Sequence, residues 1–238
     1  MFRRIAIIGS VILLAGILTT FLVVRQIVFG GTPTIHPRHA PPLAVTPCAT
    51  LDLPNGARLF QVVSQNSTAS YEASFQAASQ PLPGSVMGVT GDVSGQFKLT
   101  TDEHIQALEL IVDLRTLDSG SPERDTHVRN DTLETSTYPY ATFRVTDASV
   151  LSGNYVEGQN VTFKLSGELN LHGITHPEVF SMQGMLTGNT ITGTASTLIH
   201  LQDFKMKPPQ TTSVITITVS NAVTLSINFT AKKQTCSH

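Results

Sequence analysis

Neither a nucleophile motif nor a nucleotide-binding loop occurs in this 238-residue sequence. G-x-S-x-G, H-E-x-x-H, Walker and dinucleotide-binding glycine patterns are all missing, so hydrolysis, zinc proteolysis and phosphate or hydride chemistry have no signature here. Basic clusters are scarce as well. From Ala57 to His238 eleven Lys and Arg stand against sixteen Asp and Glu, a formal −5, and only Lys205/Lys207 and Lys232/Lys233 lie close together. That is a poor surface for a phosphate backbone, which excludes nucleic acid as a partner. There are two cysteines, Cys48 and Cys236, and no C-x-x-C, which argues against a redox or metal role for them. His36 and His39 form a pair without the third and fourth ligands that a zinc site needs, so no metal is expected. Helical periodicity is almost absent beyond Ala57.

One long apolar run is present. Met1-Phe2-Arg3-Arg4 precedes Ile5 to Val24, twenty uncharged residues whose only polar members are Ser10, Thr19 and Thr20. As a helix this run measures about 30 Å, the thickness of a bilayer's hydrocarbon core. It exceeds the roughly 7 to 15 apolar residues of a secretory signal, and no Ala-x-Ala-like site follows it, so a retained anchor is expected in preference to a cleaved signal. The Lys/Arg count is nearly balanced, with Arg3 and Arg4 on one side and Arg25 and Arg38 on the other. A short basic head, one span and a large domain predict a single-pass membrane protein whose domain lies outside the cytoplasm.

The expected organisation is a signal-anchor segment over 1–29, a proline-rich linker over 30–56, a folded domain over 57–232 and a tail over 233–238. Prolines at 33, 37, 41, 42 and 47 make the linker a semi-extended spacer. The cysteines flank the domain, whose ends are expected to be close, and an exported domain sits where disulfides persist. A Cys48–Cys236 bond tying the two tails together is therefore expected.

Within the domain the pattern has period two. Candidate strands are 58–64, 69–75, 86–90, 94–99, 108–114, 141–145, 161–171, 179–186, 190–201, 214–219 and 223–229. In the clearest, Val161 to Leu171, every odd position is apolar or Gly and every even one polar, so one face is buried. Such strands in series predict an antiparallel sheet closed on itself as a barrel, with a two-sheet sandwich as the rival. The inward face carries Phe163, Leu165, Leu169, Leu225 and Phe229, with Gly167, Gly193 and Ala195 as its small members. Small residues on one wall and bulky ones on another permit a ligand cavity, although the same alternation also packs a solid core.

The connection between the strands ending near Leu114 and beginning near Ala141 is unusually long. It carries Arg124, Asp125 and His127, and a second polar group, His172 and His176, lies in LHGITHP. An Asp-His couple without a nucleophile does not make a hydrolase. These side chains are read either as structural hydrogen-bonding groups or as contacts to a ligand's head group, and the chain is not expected to be an enzyme.

Four ordered blocks carry a resemblance. They are QNSTASYEASF (65–75), GSVMGVTGDVSGQFKL (84–99), VDLRTLDSG with ERDTHVRNDTLETSTYPYATFRV (112–120 and 123–145), and LSGELNLHGITHPEVF (165–180). Together they resemble the YceI-like family. The resemblance implies a lipocalin-like barrel in a periplasmic or secreted setting that binds polyisoprenoid or similar long-chain lipids, with no cofactor beyond such a lipid. Two positions depart from the family pattern: Lys205 stands where a Gly commonly follows Asp-Phe, and His176 where a Lys or Arg commonly stands in the Thr-x-Pro turn. The resulting expectation is binding of a long apolar lipid in the barrel, its head group near Arg124/Asp125/His127 or the His172/His176 turn. The alternatives are an isoprenoid-quinone carrier or electron-transfer accessory, and a structural or stress-related envelope protein with a solid barrel.

Overall fold

The computed structural model describes residues 56–77, 82–101, 104–145, 149–150, 157–209 and 217–234. The apolar run at 5–24, the linker and both cysteines lie outside the described residues, and among those described no helix is long and apolar enough to cross a membrane.

Eleven strands form one antiparallel sheet: β1 Arg58–Val62, β2 Thr68–Ala77, β3 Gly84–Thr90, β4 Val93–Leu99, β5 His104–Asp113, β6 Tyr140–Val145, β7 Ser149–Val150, β8 Val161–Leu171, β9 Ile174–Thr187, β10 Thr190–His200 and β11 Ile217–Lys233. The ladder runs β1-β4-β5-β6-β8-β9-β10-β11 and closes by pairing β11 back onto β1, an eight-stranded barrel. Closure leaves these strands without a free edge. β1 and β2 are two halves of one bent strand, because both pair with β11, β1 at its C-terminal end and β2 along its N-terminal half. The bend is a 3-10 turn at Ser64–Asn66, held by Ser67 Oγ, which donates to Val63 O at 2.9 Å and accepts from Thr230 N at 3.1 Å. β3 and β4 are bent at the matching height, where the Asp92 N–H is satisfied by Thr90 Oγ1 at 3.0 Å.

The period-two pattern is realised in burial. On β8, Phe163, Leu165, Leu169 and Leu171 are buried while Thr162, Lys164, Ser166 and Glu168 are exposed. Several boundaries differ from expectation: β5 begins at His104 rather than at 108, β9 begins at Ile174 rather than at 179, and two expected strands near the C-terminus are one. Residues 214–219 and 223–229 were expected to be separate strands, yet Ile217–Lys233 is continuous. Val219 opposes Phe75 and Val223 opposes Ala73, so the intervening Ser-Asn-Ala is an insertion within a ladder that resumes beyond it. Polar residues interrupt the alternation without ending the strand, because Ser220 Oγ accepts from Ala222 N at 3.0 Å and Asn221 Oδ1 from Gln202 N at 3.1 Å.

A second difference concerns the inward glycines. A Cβ on Gly167 would lie 2.6 Å from the Phe143 ring, and one on Gly193 would lie 2.8 Å from the Phe229 ring. The volume these glycines save is thus filled by aromatic rings laid across them, a device that supports strand glycines. Phe143 also meets Phe180 at 4.7 Å between ring centroids. This part of the wall is packed.

The barrel has two unlike ends. At one, β5 leads into the connection 114–139, which holds a one-turn helix α1, Pro122–His127, followed by a π-turn over Val128–Thr132. Ser121 caps α1 and Pro122 opens it, as helix starts prefer. The connection also touches β3, where Val89 and Asp118 exchange backbone hydrogen bonds at 2.9 Å in both directions. At the other end lie Arg58, the end of β4, the start of β5 and the β9–β10 turn.

Candidate functional site

At the capped end the connection is folded around Ser119. Asp125, 6 % exposed, accepts from Ser119 N at 3.0 Å and from Ser119 Oγ. Arg124 Nε donates to Ser119 Oγ at 2.8 Å, and its terminal nitrogen donates to Ser119 O at 2.6 Å. Arg129 reaches Leu117 O at 2.8 Å. Arg124 and Asp125 are therefore brought together, with hydrogen bonds directed at their own loop. His127 is separated from them: its ring is exposed and pairs with Asp131 at 2.9 Å on the next turn.

Tyr71 completes this cluster and carries no recognisable sequence signal beyond its place on a strand. Its ring lies across Gly88, where a Cβ would come within 2.3 Å of it. Burial, then the Asp125 carboxylate, pushes the Tyr71 phenol up to about 12, opposed by Arg124, a hydrogen bond with Ser119 and Arg129. The phenol thus holds its proton more tightly at the barrel end than in water.

His172 and His176 lie beside the connection. His172 has φ +53°, in the left-handed region, and its Nδ1 is 3.2 Å from Phe204 O while Nε2 is 3.5 Å from Glu134 Oε1. The Tyr138 ring packs on it at 4.5 Å. His172 therefore joins three segments: the β8–β9 turn, the connection, and the 3-10 turn Leu201–Phe204. His176 pairs with Glu178 at 3.1 Å and meets the Phe204 ring edge at 5.8 Å. Lys205 adopts φ +56°, so the turn is kept and the lysine occupies a conformation that glycine takes more cheaply.

The apolar residues expected to line a cavity share the inward face. Phe163, Leu165, Leu169, Ala195 and Phe229 are buried and Leu225 is half-buried against the core. A pocket with room for about 40 Å³ lies toward the uncapped end and includes Phe163 of these six. Phe97, Leu99, Ile105, Met182 and Ile191 are among its other walls. Ile191 shares the inward face already read for Gly193 and Ala195, whereas Leu99 and Ile105 sit near strand ends, where alternation is read least securely. Among the described residues no three His, Cys, Asp or Glu side chains converge as a metal site.

A family model described as the YceI-like domain matches residues 60–231. A UPF0312 protein of Vibrio cholerae is 34% identical over 100 residues, 39% of this chain and 49% of that one. A UPF0312 protein of Pseudomonas putida is 30% identical over 137 residues, 54% of this chain and 67% of the relative. The chain thus spans about half the length of the first of these curated relatives. The fold is shared with a polyisoprenoid binding domain from Saccharophagus degradans, implicated in plant cell wall breakdown, at TM-score 0.58 and 16% identity, covering 74% of this chain and 98% of that one. It is also shared with Burkholderia cenocepacia BcnA, at TM-score 0.56 and 19% identity over 72% and 99% of the two chains. An eight-stranded barrel capped by a long polar connection, and a match to the family model over most of its length, lead to one assignment: the chain belongs to the YceI-like family.

Proposed function

We propose that this protein binds a long-chain apolar lipid of polyisoprenoid type in its barrel, outside the cytoplasm and tethered by its N-terminal apolar segment, without a chemical step. The observation that carries this reading is the apolar pocket opening toward the uncapped end and continuous with the barrel core. Burial of methylenes, at about 0.8 kcal/mol each, supplies the affinity. The pocket's 40 Å³ is far below the roughly 300 to 1,000 Å³ of preformed ligand clefts, so a chain enters by displacing side chains. Met182 and Met185 on its wall are suited to this, since an unbranched thioether repacks readily.

Aromatic filling over Gly167 and Gly193 favours a second reading, a structural envelope protein whose barrel stays solid. Native mass spectrometry with lipid extraction, on the full-length protein purified from its own compartment in mild detergent, separates the two. The lipid reading expects a reproducible adduct; bare polypeptide mass in repeated preparations would favour the solid barrel. An extract with a quinone absorbance would redirect the function to an isoprenoid-quinone carrier. Topology has its own check. The anchored form is expected to survive a carbonate wash in the membrane fraction, with the domain open to protease outside spheroplasts.

A further inference from the structure

The register at the uncapped end places two cations on the rim of the apolar pocket. Phe60 stacks on Phe97, a pocket wall, at 5.5 Å between centroids, so the Phe60 side chain faces the barrel interior. Arg58 is two residues earlier on the same strand and so on the same face; it pairs with Leu99, another pocket wall, and its guanidinium lies 5.8 Å over the Phe60 ring. Lys233 pairs directly with Phe60 across the barrel closure, which puts it on this inward face too, one step beyond the fully buried Ala231. Arg58 and Lys233 are therefore diagonal neighbours, about 7 to 8 Å apart along the backbone, on the mouth of a pocket whose walls are apolar. Glu157 at this end is engaged elsewhere, its Oε1 accepting from Gly188 N at 2.6 Å, and the two acids of the β4–β5 turn, Asp102 and Glu103, lie outside the described residues.

Two like charges on neighbouring rim positions repel each other, and an anion set between them removes the repulsion and gains charge-assisted hydrogen bonds. An apolar slot closed by a cationic rim complements an amphiphile with a long tail and a compact anionic head. Resting on the lipid-binding reading above, we infer that the ligand carries an anionic head group, a phosphate or a carboxylate, bound by Arg58 and Lys233 at the uncapped end. Its tail runs inward past Phe97 and Phe163. The head group then lies at the end opposite to Arg124, Asp125 and His172, whose hydrogen bonds serve the cap, and to His176, which pairs with Glu178.

The test is photolabelling of the full-length protein in phosphatidylcholine nanodiscs, using a tail-diazirine palmitic acid and the matching hexadecanol. The parent is expected to be labelled by the acid at about ten times lower probe concentration than by the alcohol, on peptides carrying Met182, Met185 or Ile191. Arg58→Gln with Lys233→Gln is expected to remove the acid's advantage while leaving labelling by the alcohol unchanged. Both positions are on the rim, so the fold should persist, which circular dichroism checks. Unlabelled butyrate, a head without a tail, is expected not to compete. Equal labelling of the parent by acid and alcohol would overturn the head-group site while leaving the lipid reading intact. So would an advantage for the acid that survives in the double variant and disappears in Arg124→Gln. Pocket labelling by neither probe, above that in lipid-only controls, would overturn the lipid reading itself.

Discussion

Gly184 and Gly193 face each other across the β9–β10 ladder, share the inward face, and should respond oppositely to the same substitution. A Cβ on Gly193 would stand 2.6 Å from the Gln183 carbonyl oxygen and 2.8 Å from the Phe229 ring. The first neighbour is backbone in a closed ladder and cannot swing aside. Overpacking of this kind costs about 1 to 3 kcal/mol, against which alanine regains about 0.5 to 1 kcal/mol over glycine in a strand. Gly193→Ala is therefore expected to destabilise by about 1 to 2 kcal/mol. At Gly184 the nearest atom to an added Cβ is Thr192 O at 3.5 Å, an ordinary contact, and the methyl points into the pocket. Here the strand preference stands unopposed, and Gly184→Ala should stabilise by about 0.5 to 1 kcal/mol. For a domain of this size each kcal/mol moves the midpoint by about 2 to 4 °C. Thermal and urea unfolding of delipidated residues 49–238, followed by far-UV circular dichroism, reads both shifts. If the two variants move together, or Gly193→Ala is neutral, the ring of Phe229 does not lie where the packing account puts it.

Three further outcomes are expected. Because the Tyr71 phenol is raised to about 12 while an unfolded tyrosine ionises near 10, stability present below pH 10 should fall as the pH rises toward 12, by about 3 kcal/mol at most; Tyr71→Phe should lack this component, and identical urea midpoints for parent and variant across pH 8 to 12 would refute it. Lys205→Gly, at φ +56°, should raise the unfolding free energy by about 1 kcal/mol, and a loss of stability would mean that the lysine's own contacts outweigh its backbone strain. Ala195→Phe, between Ile227 and Met182 on the inward face, should cost about 1 to 3 kcal/mol in a packed barrel, or reduce labelling by a long-chain lipid if the ring occupies ligand space; Ser196→Lys, facing outward, should change neither, and the reverse ranking would place the strand one residue out of register.

Much of the barrel was legible in the chain because a half-buried strand writes its two faces directly into alternate residues. Val161 to Leu171 shows this best: its odd positions were assigned inward and are inward, and the six residues expected on the cavity wall share the interior face. The same local rule could not show that the Ser-Asn-Ala break in β11 is an insertion, since that depends on β2 continuing its ladder on both sides. Nor could it show that Gly167 and Gly193 are covered by rings from neighbouring strands, because Phe143 and Phe229 are distant in sequence and meet the glycines only through register. The polar residues divide in the same way. Arg124 and Asp125 were conspicuous in the long connection, but whether their hydrogen bonds point toward a ligand or back at Ser119 is set by how that loop folds over the barrel end. Arg58 and Lys233 are separated by nearly the whole domain, and the sequence shows Lys233 only as one half of the Lys232/Lys233 pair; closure of β11 onto β1 brings Arg58 and Lys233 to one rim. Side-chain parity is a property of a strand and can be read from it, whereas the company each side chain keeps is fixed by strand pairing and closure, which only the tertiary structure decides.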